Sequence, residues 1–207
     1  MTQSDSDIVR VSTLRVMNMR IGILGGTFDP VHNGHIYLAE KACAKLRLDK
    51  IIFIPSYLPP HKKSVKVTSA RHRFNMLKLA ISGNKKFRIS GMEIKRKGRS
   101  YSVETLRRLR KRYGAAAGLF FITGSDSLKE LDKWKNLNEI LRLCKFVVVG
   151  RPGFKAKRIP AGFIYLKINA KDISATNIRN RIKTGRSLAG IVPQKTADCI
   201  YKNKLYI

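Results

Sequence analysis

Short apolar runs alternate with amphipathic segments along most of this chain, and this alternation restricts the fold more than any other feature. Six runs have the length and composition of β-strands: IGIL (21–24), IIFI (51–54), FRIS (87–90), LFFI (119–122), FVVV (146–149) and FIYLKI (163–168). The first, second, fourth and fifth runs are almost continuously apolar, as strands covered on both faces require.

Six further segments carry apolar residues three or four positions apart, the spacing of helices that bury one face. They are HIYLAEKACAKL (35–46), SARHRFNMLKLAIS (69–82), SVETLRRLRKRY (102–113), LNEILRL (137–143), ISATNIRNRI (173–182) and 192–207. Strands that alternate with helices predict a Rossmann-like, doubly wound α/β fold with a mostly parallel sheet and a small helical C-terminal part.

The length of 207 residues fits one domain. We place that domain at residues 20–207, with its helical C-terminal part at about 170–207. Residues 1–19 are polar and aperiodic, which predicts a flexible N-terminal extension. The translation start is left open among three methionines, Met1, Met17 and Met19.

The cysteines and the N-terminus bear on the compartment. Cys43, Cys144 and Cys199 lie far apart and form no C-x-x-C pair, so the sequence predicts reduced thiols and neither a disulfide framework nor a zinc site. Residues 1–19 lack the apolar core of a signal peptide, and no run approaches the ~18 apolar residues of a membrane span. We therefore expect a cytoplasmic protein with no membrane partner.

Charge is the unusual bulk property. Lysine and arginine number 43 against 13 acidic residues, which gives a net charge of +30. Such a field attracts polyanions. The basic residues are dispersed, however, and no nucleic-acid-binding motif accompanies them. The sequence therefore favours small anionic ligands over nucleic acid.

The segment GGTFDPVHNGH (25–35) follows the first predicted strand and precedes a predicted helix. Ligands of open α/β sheets bind at this carboxyl edge. Gly25 and Gly26 let the backbone approach a phosphate closely, and the helix N-terminus favours negative charge. Because His32 and His35 are three residues apart, the first helical turn places both on one side. We interpret the segment as a phosphate-binding pocket; the alternative is a tight turn that happens to carry histidines.

The segment ISATNIR (173–179) predicts a second anion site. Ser174 and Thr176 stand at a helix start, and Arg179 follows one turn later with a fork of donors suited to phosphate oxygens. The alternative is that Arg179 is one surface charge among many. Its position beside two hydroxyl groups favours the binding role.

GGTFDPVHNGH resembles the signature of the nucleotidyltransferase superfamily that carries the T/H-x-G-H motif. Further segments occur in the order typical of the bacterial nicotinate-nucleotide adenylyltransferase family, which the chain resembles from about residue 20 to 207. These segments are IPSYLPPHKK (54–63), RSYSVETL (99–106), FFITGSDSLKELDKW (120–134), VVVGRPG (147–153), ISATNIR and a terminal LY (205–206). Ala175 stands where that family commonly has a second serine, and Ser102 where it commonly has threonine.

The resemblance implies adenylyl transfer from ATP to nicotinate mononucleotide, with His32, His35 and Arg179 as catalytic residues. It implies that ATP is bound by Gly25, Gly26, Thr27, Phe28, His32, His35, Gly124, Asp126, Ser174, Thr176 and Arg179. It implies that nicotinate mononucleotide is bound by His61, Lys62, Tyr101, Ser102 and Trp134. We expect Mg²⁺ to be held mainly through the ATP phosphates, because the sequence shows no dedicated carboxylate cluster.

Several alternatives remain at this level. Trp134, the only tryptophan, is either a ring-stacking residue or part of the core; Asp126 is either a nucleotide ligand or a helix cap. His61 and Lys62 either bind the mononucleotide phosphate or belong to a solvated basic loop. The functional alternatives are preference for nicotinamide mononucleotide, a related transferase such as a cytidylyltransferase, and an RNA-binding protein with a relict nucleotide fold. A homo-oligomer is left open.

Overall fold

The computed structural model describes residues 19–59, 67–150, 159–168 and 173–207. In these residues six strands form one sheet in the order β3-β2-β1-β4-β5-β6, and every neighbouring pair is parallel. The strands are β1 (Arg20–Gly26), β2 (Lys50–Pro55), β3 (Phe87–Ile89), β4 (Gly118–Gly124), β5 (Lys145–Gly150) and β6 (Phe163–Lys167). The predicted Rossmann-like parallel sheet is confirmed.

Helices connect the strands and follow the last one. They are α1 (Asn33–Lys45), α2 (Ala70–Ile81), α3 (Met92–Arg96), α4 (Ser102–Tyr113), α5 (Leu137–Leu143), α6 (Ala175–Lys183) and α7 (Gln194–Lys202), with a 3₁₀ helix at Ser125–Lys133. The six helices predicted from apolar spacing are all present. The helix α3 and the 3₁₀ helix were not predicted. Helix α3 is only five residues long, and the apolar face of the 3₁₀ segment consists of only two residues, Leu128 and Leu131.

The sheet is covered on both faces, as its apolar strands require. Leu24, Phe53 and Phe120 pack on one face under α1, α2, α6 and α7. Ile23 and Phe121 pack on the other face under α4 and α5. Consecutive strand residues therefore point into cores on opposite faces of the sheet. The faces are covered by helices, and the loops that follow the strands lie at the carboxyl edge.

The strand order reverses beside β1, which lies between β2 and β4. In open α/β sheets the loops at such a point diverge to opposite sides and leave a crevice at the carboxyl edge. The loop after β1 and the 3₁₀ helix after β4 both begin there. The fold thus places the GGTFDPVHNGH segment at the expected position for a ligand site.

Two of the expectations from the sequence fall on residues that the structure does not describe. Residues 1–18 and the pair His61 and Lys62 lie outside the described residues. Among the helices that the structure describes, none is long and apolar enough to cross a membrane.

Candidate active site

The end of β1 and the loop that follows it are partly open to solvent. Gly25 is exposed, whereas Gly26 and Thr27 are half-buried. A Cβ atom built on Gly26 would lie 3.1 Å from the ring of Phe28, which is closer than such contacts normally are. Glycine at this position therefore lets the backbone lie directly over the Phe28 ring. Phe28 itself is only 2% exposed, and its contact with a nucleotide stays a prediction.

The two histidines lie side by side at the start of α1, as their spacing predicts. Their ring centroids are 3.7 Å apart and the planes differ by 32°. The backbone N–H of His32 donates to Nδ1 of His35 over 3.3 Å, and the Phe28 ring meets the His35 ring edge-on with centroids 5.0 Å apart. His32 is buried and His35 is half-buried. These contacts fix both imidazoles on the side of α1 that faces the exposed loop.

Gly34 makes this packing feasible. A Cβ on Gly34 would lie 3.0 Å from His32 Nδ1 and 3.6 Å from the Cβ of Ile173. The His32 ring and Ile173, the first residue of ISATNIR, therefore both approach the backbone of α1. This contact brings together two segments that the sequence predicted separately as anion sites.

The second predicted anion site is a helix start in direct contact with the first. Ser174 is the N-cap of α6, and its hydroxyl accepts a hydrogen bond from the Asn177 N–H over 3.2 Å. The guanidinium of Arg179 donates to the main-chain carbonyl of Asp29 over 2.7 Å and to the Thr176 hydroxyl over 3.1 Å. The guanidinium of Arg179 is therefore held between the two turns.

Asp29 connects the loop to distant parts of the chain. Its side chain is buried at 5% exposure; one carboxylate oxygen accepts from the Tyr206 hydroxyl over 2.7 Å and the other from the Thr68 N–H over 3.3 Å. Burial raises the pKa of the Tyr206 hydroxyl, and the negative charge of Asp29 raises it further. Tyr206 therefore keeps the proton that it donates.

A pocket of about 270 Å³ opens beside the loop. Gly25, Gly26 and Thr27 line one part of it, and the predicted mononucleotide-binding residues Tyr101, Ser102 and Trp134 line another. Six predicted site residues from three separate segments of the chain thus share one cavity. His32, His35 and the α6 residues lie next to the loop and are not part of the lining of this pocket.

Trp134 combines the two interpretations that the sequence left open. Its ring meets Phe121 edge-on at a centroid distance of 5.7 Å and Phe146 at 5.4 Å. The residue is nevertheless half-buried and lines the pocket. One part of the indole is therefore anchored in the core, and another part is available to a ligand.

The residues after β4 lie across the crevice from the loop. Gly124 ends the strand and is the N-cap of the 3₁₀ helix, and Asp126 lies in the first turn of that helix and is exposed. Because Gly124 and not Asp126 occupies the N-cap position, Asp126 is not the N-cap residue that the alternative interpretation assumed. Its contact with nucleotide stays a prediction.

Glu93 in α3 is a residue that the sequence interpretation missed. Its carboxyl group lines the pocket, is 7% exposed, and accepts a hydrogen bond from the Thr105 hydroxyl over 2.5 Å. Burial raises the pKa of this carboxyl, and hydrogen bonds from Thr105 and Ser100 oppose that effect. Ser100 in turn accepts from the Tyr57 N–H over 2.9 Å. The polar segment around Glu93 did not indicate a buried carboxyl, because its hydrogen-bond partners Thr105 and Ser100 lie outside that segment.

Among the residues that the structure describes, there is no cluster of three or more His, Cys, Asp or Glu side chains that suits a metal ion. The carboxylate of Asp29, within the GGTFDPVHNGH loop, accepts hydrogen bonds from Tyr206 and Thr68. Coordination of Mg²⁺ mainly through ATP phosphates stays a prediction.

Comparisons with known proteins agree with this geometry. The sequence model of the cytidylyltransferase-like family matches residues 23–181. The chain is 45% identical over 195 residues to a probable nicotinate-nucleotide adenylyltransferase of Clostridium tetani, covering 89% of this chain and 97% of that protein. It is 39% identical to a protein of the same description from Thermoanaerobacter sp., covering 91% and 94%.

The fold is also found among solved structures. The chain is similar to the Plasmodium falciparum nicotinic acid mononucleotide adenylyltransferase complexed with NaAD, with a TM-score of 0.74, 19% identity, and coverage of 91% of this chain and 97% of that one. At 19% identity this match supports the fold. The family is shown by the relatives that are 45% and 39% identical in sequence. The chain belongs to the cytidylyltransferase-like family and, within it, to the nicotinate-nucleotide adenylyltransferases.

Proposed function

We propose that this protein transfers the adenylyl group of ATP to nicotinate mononucleotide, giving nicotinate adenine dinucleotide and pyrophosphate. The observation that carries the proposal is the contact between its two anion-binding turns. Arg179, in the helix that Ser174 caps, donates to the carbonyl of Asp29 in the GGTFDPVHNGH loop over 2.7 Å. Two helix N-termini and an arginine thus converge beside one pocket, an arrangement suited to a triphosphate.

ATP would lie along the loop after β1. Thr27, His32 and His35 would face the α- and β-phosphates, and Ser174, Thr176 and Arg179 the β- and γ-phosphates. Gly25 and Gly26 bring the backbone close to the nucleotide, and Gly124 and Asp126 lie on the opposite side of the crevice. Imidazole and guanidinium donors held in place before the reaction stabilise charge that grows on the phosphates in the transition state.

Nicotinate mononucleotide would occupy the adjoining pocket. Tyr101 and Ser102 stand at the start of α4, where free backbone N–H groups suit the pyridine carboxylate. The exposed part of Trp134 offers a flat face for the pyridine ring. His61 and Lys62, which follow Pro59 on the pocket wall, would bind the mononucleotide phosphate.

The chemistry needs no nucleophile from the protein. The phosphate of the mononucleotide is already anionic near neutral pH and attacks the α-phosphorus in line, with pyrophosphate as the leaving group. The chain contributes orientation of the two phosphates and stabilisation of charge. ATP is taken as its Mg²⁺ complex, with the ion coordinated mainly by phosphate oxygens and water. We further propose that the reaction takes place in the cytoplasm, where the buried thiols of Cys43 and Cys144 remain reduced.

The test is a rate comparison with matched substrate pairs. Purified protein with ATP and Mg²⁺ is supplied with nicotinate mononucleotide or with nicotinamide mononucleotide, and dinucleotide formation is measured by chromatography. We expect a higher kcat/KM for the acid. A higher value for the amide would establish the alternative substrate preference, and a higher rate with CTP than with ATP would establish a cytidylyltransferase. Salt-sensitive RNA binding without any nucleotidyl transfer would contradict the enzyme proposal altogether.

A further inference from the structure

Arg73 is buried where an aliphatic residue is expected. It lies on the apolar face of α2, three and four residues before Met76 and Leu77, and it is only 1% exposed. Burial lowers the pKa of its guanidinium, and the Asp29 charge opposes that effect. Arginine nevertheless stays protonated in proteins, so a full positive charge is kept inside the fold. Since burying a charge is costly, its partners indicate what the charge is used for.

All three hydrogen bonds of the Arg73 side chain go to main-chain carbonyls. Nη1 donates to Thr27 over 2.7 Å, and Nη2 donates to Tyr57 over 3.1 Å. Nε donates to Thr68 over 2.8 Å. None of the ion pairs in the described part of the chain includes Arg73. The guanidinium therefore acts as a rigid, three-directional connector of backbone segments.

The connected segments belong to the two halves of the proposed site. Thr27 lies in the ATP-binding loop, and Tyr57 lies two residues beyond β2, in the segment that leads to Pro59 and the mononucleotide pocket. Hydrogen bonding between these two chain segments continues as far as the Ser56 N–H, which donates to the Gly26 carbonyl over 2.9 Å. Among the described residues no backbone hydrogen bond joins them beyond that point. Beyond the Ser56–Gly26 hydrogen bond, the two segments are connected by the Arg73 side chain.

The backbone of Thr68 connects Arg73 to the carboxylate of Asp29. Its carbonyl accepts from Arg73, and its N–H donates to the carboxylate of Asp29 over 3.3 Å. The buried positive and negative charges are thus linked through the backbone of one residue, Thr68. The carbonyl of Asp29 also accepts a hydrogen bond from Arg179. A substitution of Arg73 is therefore expected to disturb both anion-binding turns.

We propose that Arg73 is a positioning residue that holds the ATP-binding loop and the mononucleotide-binding segment at a fixed separation. The inference rests on the proposed function, because it assigns the two substrates to those two segments. In-line attack requires the nucleophilic phosphate oxygen and the α-phosphorus to meet within a few tenths of an ångström of the reactive geometry. A planar guanidinium satisfies three carbonyls at once, and the ammonium of lysine does not reproduce that fork.

The test compares Arg73→Lys with Arg110→Lys. Arg110 is a matched control because its guanidinium also bonds several carbonyls, those of Gly114, Ala115, Ala117 and Leu143, over 2.6 to 3.0 Å. These carbonyls lie at the amino ends of β4 and β5, at the opposite edge of the sheet from the site. Both variants should unfold at a lower temperature than the wild type, since both lose several hydrogen bonds to main-chain carbonyls.

Only the Arg73 variant should lose activity per folded molecule. We expect its kcat/KM to fall about 10²-fold, mainly through kcat, with both KM values changed much less. The constants of the Arg110 variant should equal those of the wild type. Equal kinetic constants in both variants, with the wild type active, would overturn the positioning role and leave the proposed function intact. An inactive wild type would instead overturn the proposed function.

A measurement on the wild type covers the case in which Arg73→Lys does not fold. Amide hydrogen exchange is followed by mass spectrometry in segment 56–59, with and without ATP and with no mononucleotide present. ATP bound at the Thr27 loop should slow exchange in that segment, because the Arg73 guanidinium bonds the carbonyls of both Thr27 and Tyr57. The amino-edge segment 114–117 around the Arg110 contacts should be unaffected. Unchanged exchange in segment 56–59 at saturating ATP would contradict the proposal.

Discussion

The hydroxyl of Tyr206 donates a hydrogen bond to Oδ1 of Asp29 over 2.7 Å, although 177 positions separate the two residues. The main-chain carbonyl of the same Asp29 accepts from Arg179 over 2.7 Å. The last segment of the chain therefore supports the loop that bears the histidines. This contact gives the terminal LY segment (205–206) a physical role in this chain.

Removing only the Tyr206 hydroxyl should weaken both stability and ATP binding. Tyr206→Phe leaves a buried carboxylate oxygen without that donor, which costs about 1–3 kcal/mol. It also loosens the Asp29 backbone that holds Arg179, so the KM for ATP should rise. Urea unfolding and initial-rate kinetics measure the two effects.

Tyr201→Phe is the control for that experiment, because Tyr201 lies in α7 and is 53% exposed. We expect no change in either quantity for the control. Equal behaviour of the two variants would show that the Tyr206 hydroxyl does not support the loop.

Replacing His35 should affect the rate of the chemical step. We expect kcat to fall by about 10² in His35→Gln through lost stabilisation of the transition state. Glutamine is chosen because a side chain at this position of a helix can still bond to the N-cap backbone, as His35 does to the His32 N–H. His72→Gln, at the start of α2, is the control. An unchanged kcat in His35→Gln would remove His35 from the catalytic residues.

The sequence predicted the sheet, six of the seven α-helices in the described residues, and the position of the two turns that it interprets as anion sites. These features depend on local periodicity and on residues a few positions apart, as the pairing of His32 with His35 illustrates. A buried arginine was also detectable in principle, because Arg73 interrupts the apolar face that Met76 and Leu77 continue. Its carbonyl partners were not detectable, since a main-chain acceptor leaves no mark in the sequence.

Long-range polar contacts account for what the sequence did not predict. Glu93 accepts hydrogen bonds from Thr105 and Ser100, which lie outside helix α3. The two interpretations of Trp134 remained open because one ring has two environments, an aromatic core beside Phe121 and a pocket wall. Residue type and spacing describe a single environment for each residue and do not reveal such a division.

Trp134 should contribute more to the binding of the mononucleotide than to that of ATP. Trp134→Ala removes the ring surface in the pocket, so the KM for the mononucleotide should rise by about 2- to 10-fold, which corresponds to the roughly 0.5–1.5 kcal/mol of an aromatic contact. Trp134→Phe keeps an aromatic face and should show a smaller effect. Equal increases in KM for both substrates would indicate that Trp134 acts through the core alone. As the only tryptophan, it also permits direct titration by fluorescence, which nicotinate mononucleotide should quench and ATP should not.

Glu93 should make the protein less stable as the pH rises. Burial raises the pKa of its carboxyl above the ordinary 4.5, so the folded protein keeps this proton at pH values where the unfolded chain has lost it. The free energy of unfolding therefore decreases from about pH 4.5 upward until the folded-state pKa is passed. Glu93→Gln removes the titration, so the variant should gain stability relative to the wild type over that interval.

Glu139→Gln provides a control in which the pH dependence has the opposite sign. Its carboxylate pairs with Arg107 over 2.6 Å, and that hydrogen bond lowers the pKa of Glu139 below the ordinary 4.5. The contribution of Glu139 is thus present above the ordinary pKa and is lost as the pH falls below it, so this variant should lose stability relative to the wild type as the pH rises toward 4.5. Denaturant unfolding from about pH 3 to about pH 8 measures both differences, because the Glu139 contribution changes below pH 4.5 and the Glu93 contribution above it. A Glu93→Gln difference that is flat with pH, or that follows the sign of Glu139→Gln, would show that the buried carboxyl does not keep its proton in the folded protein.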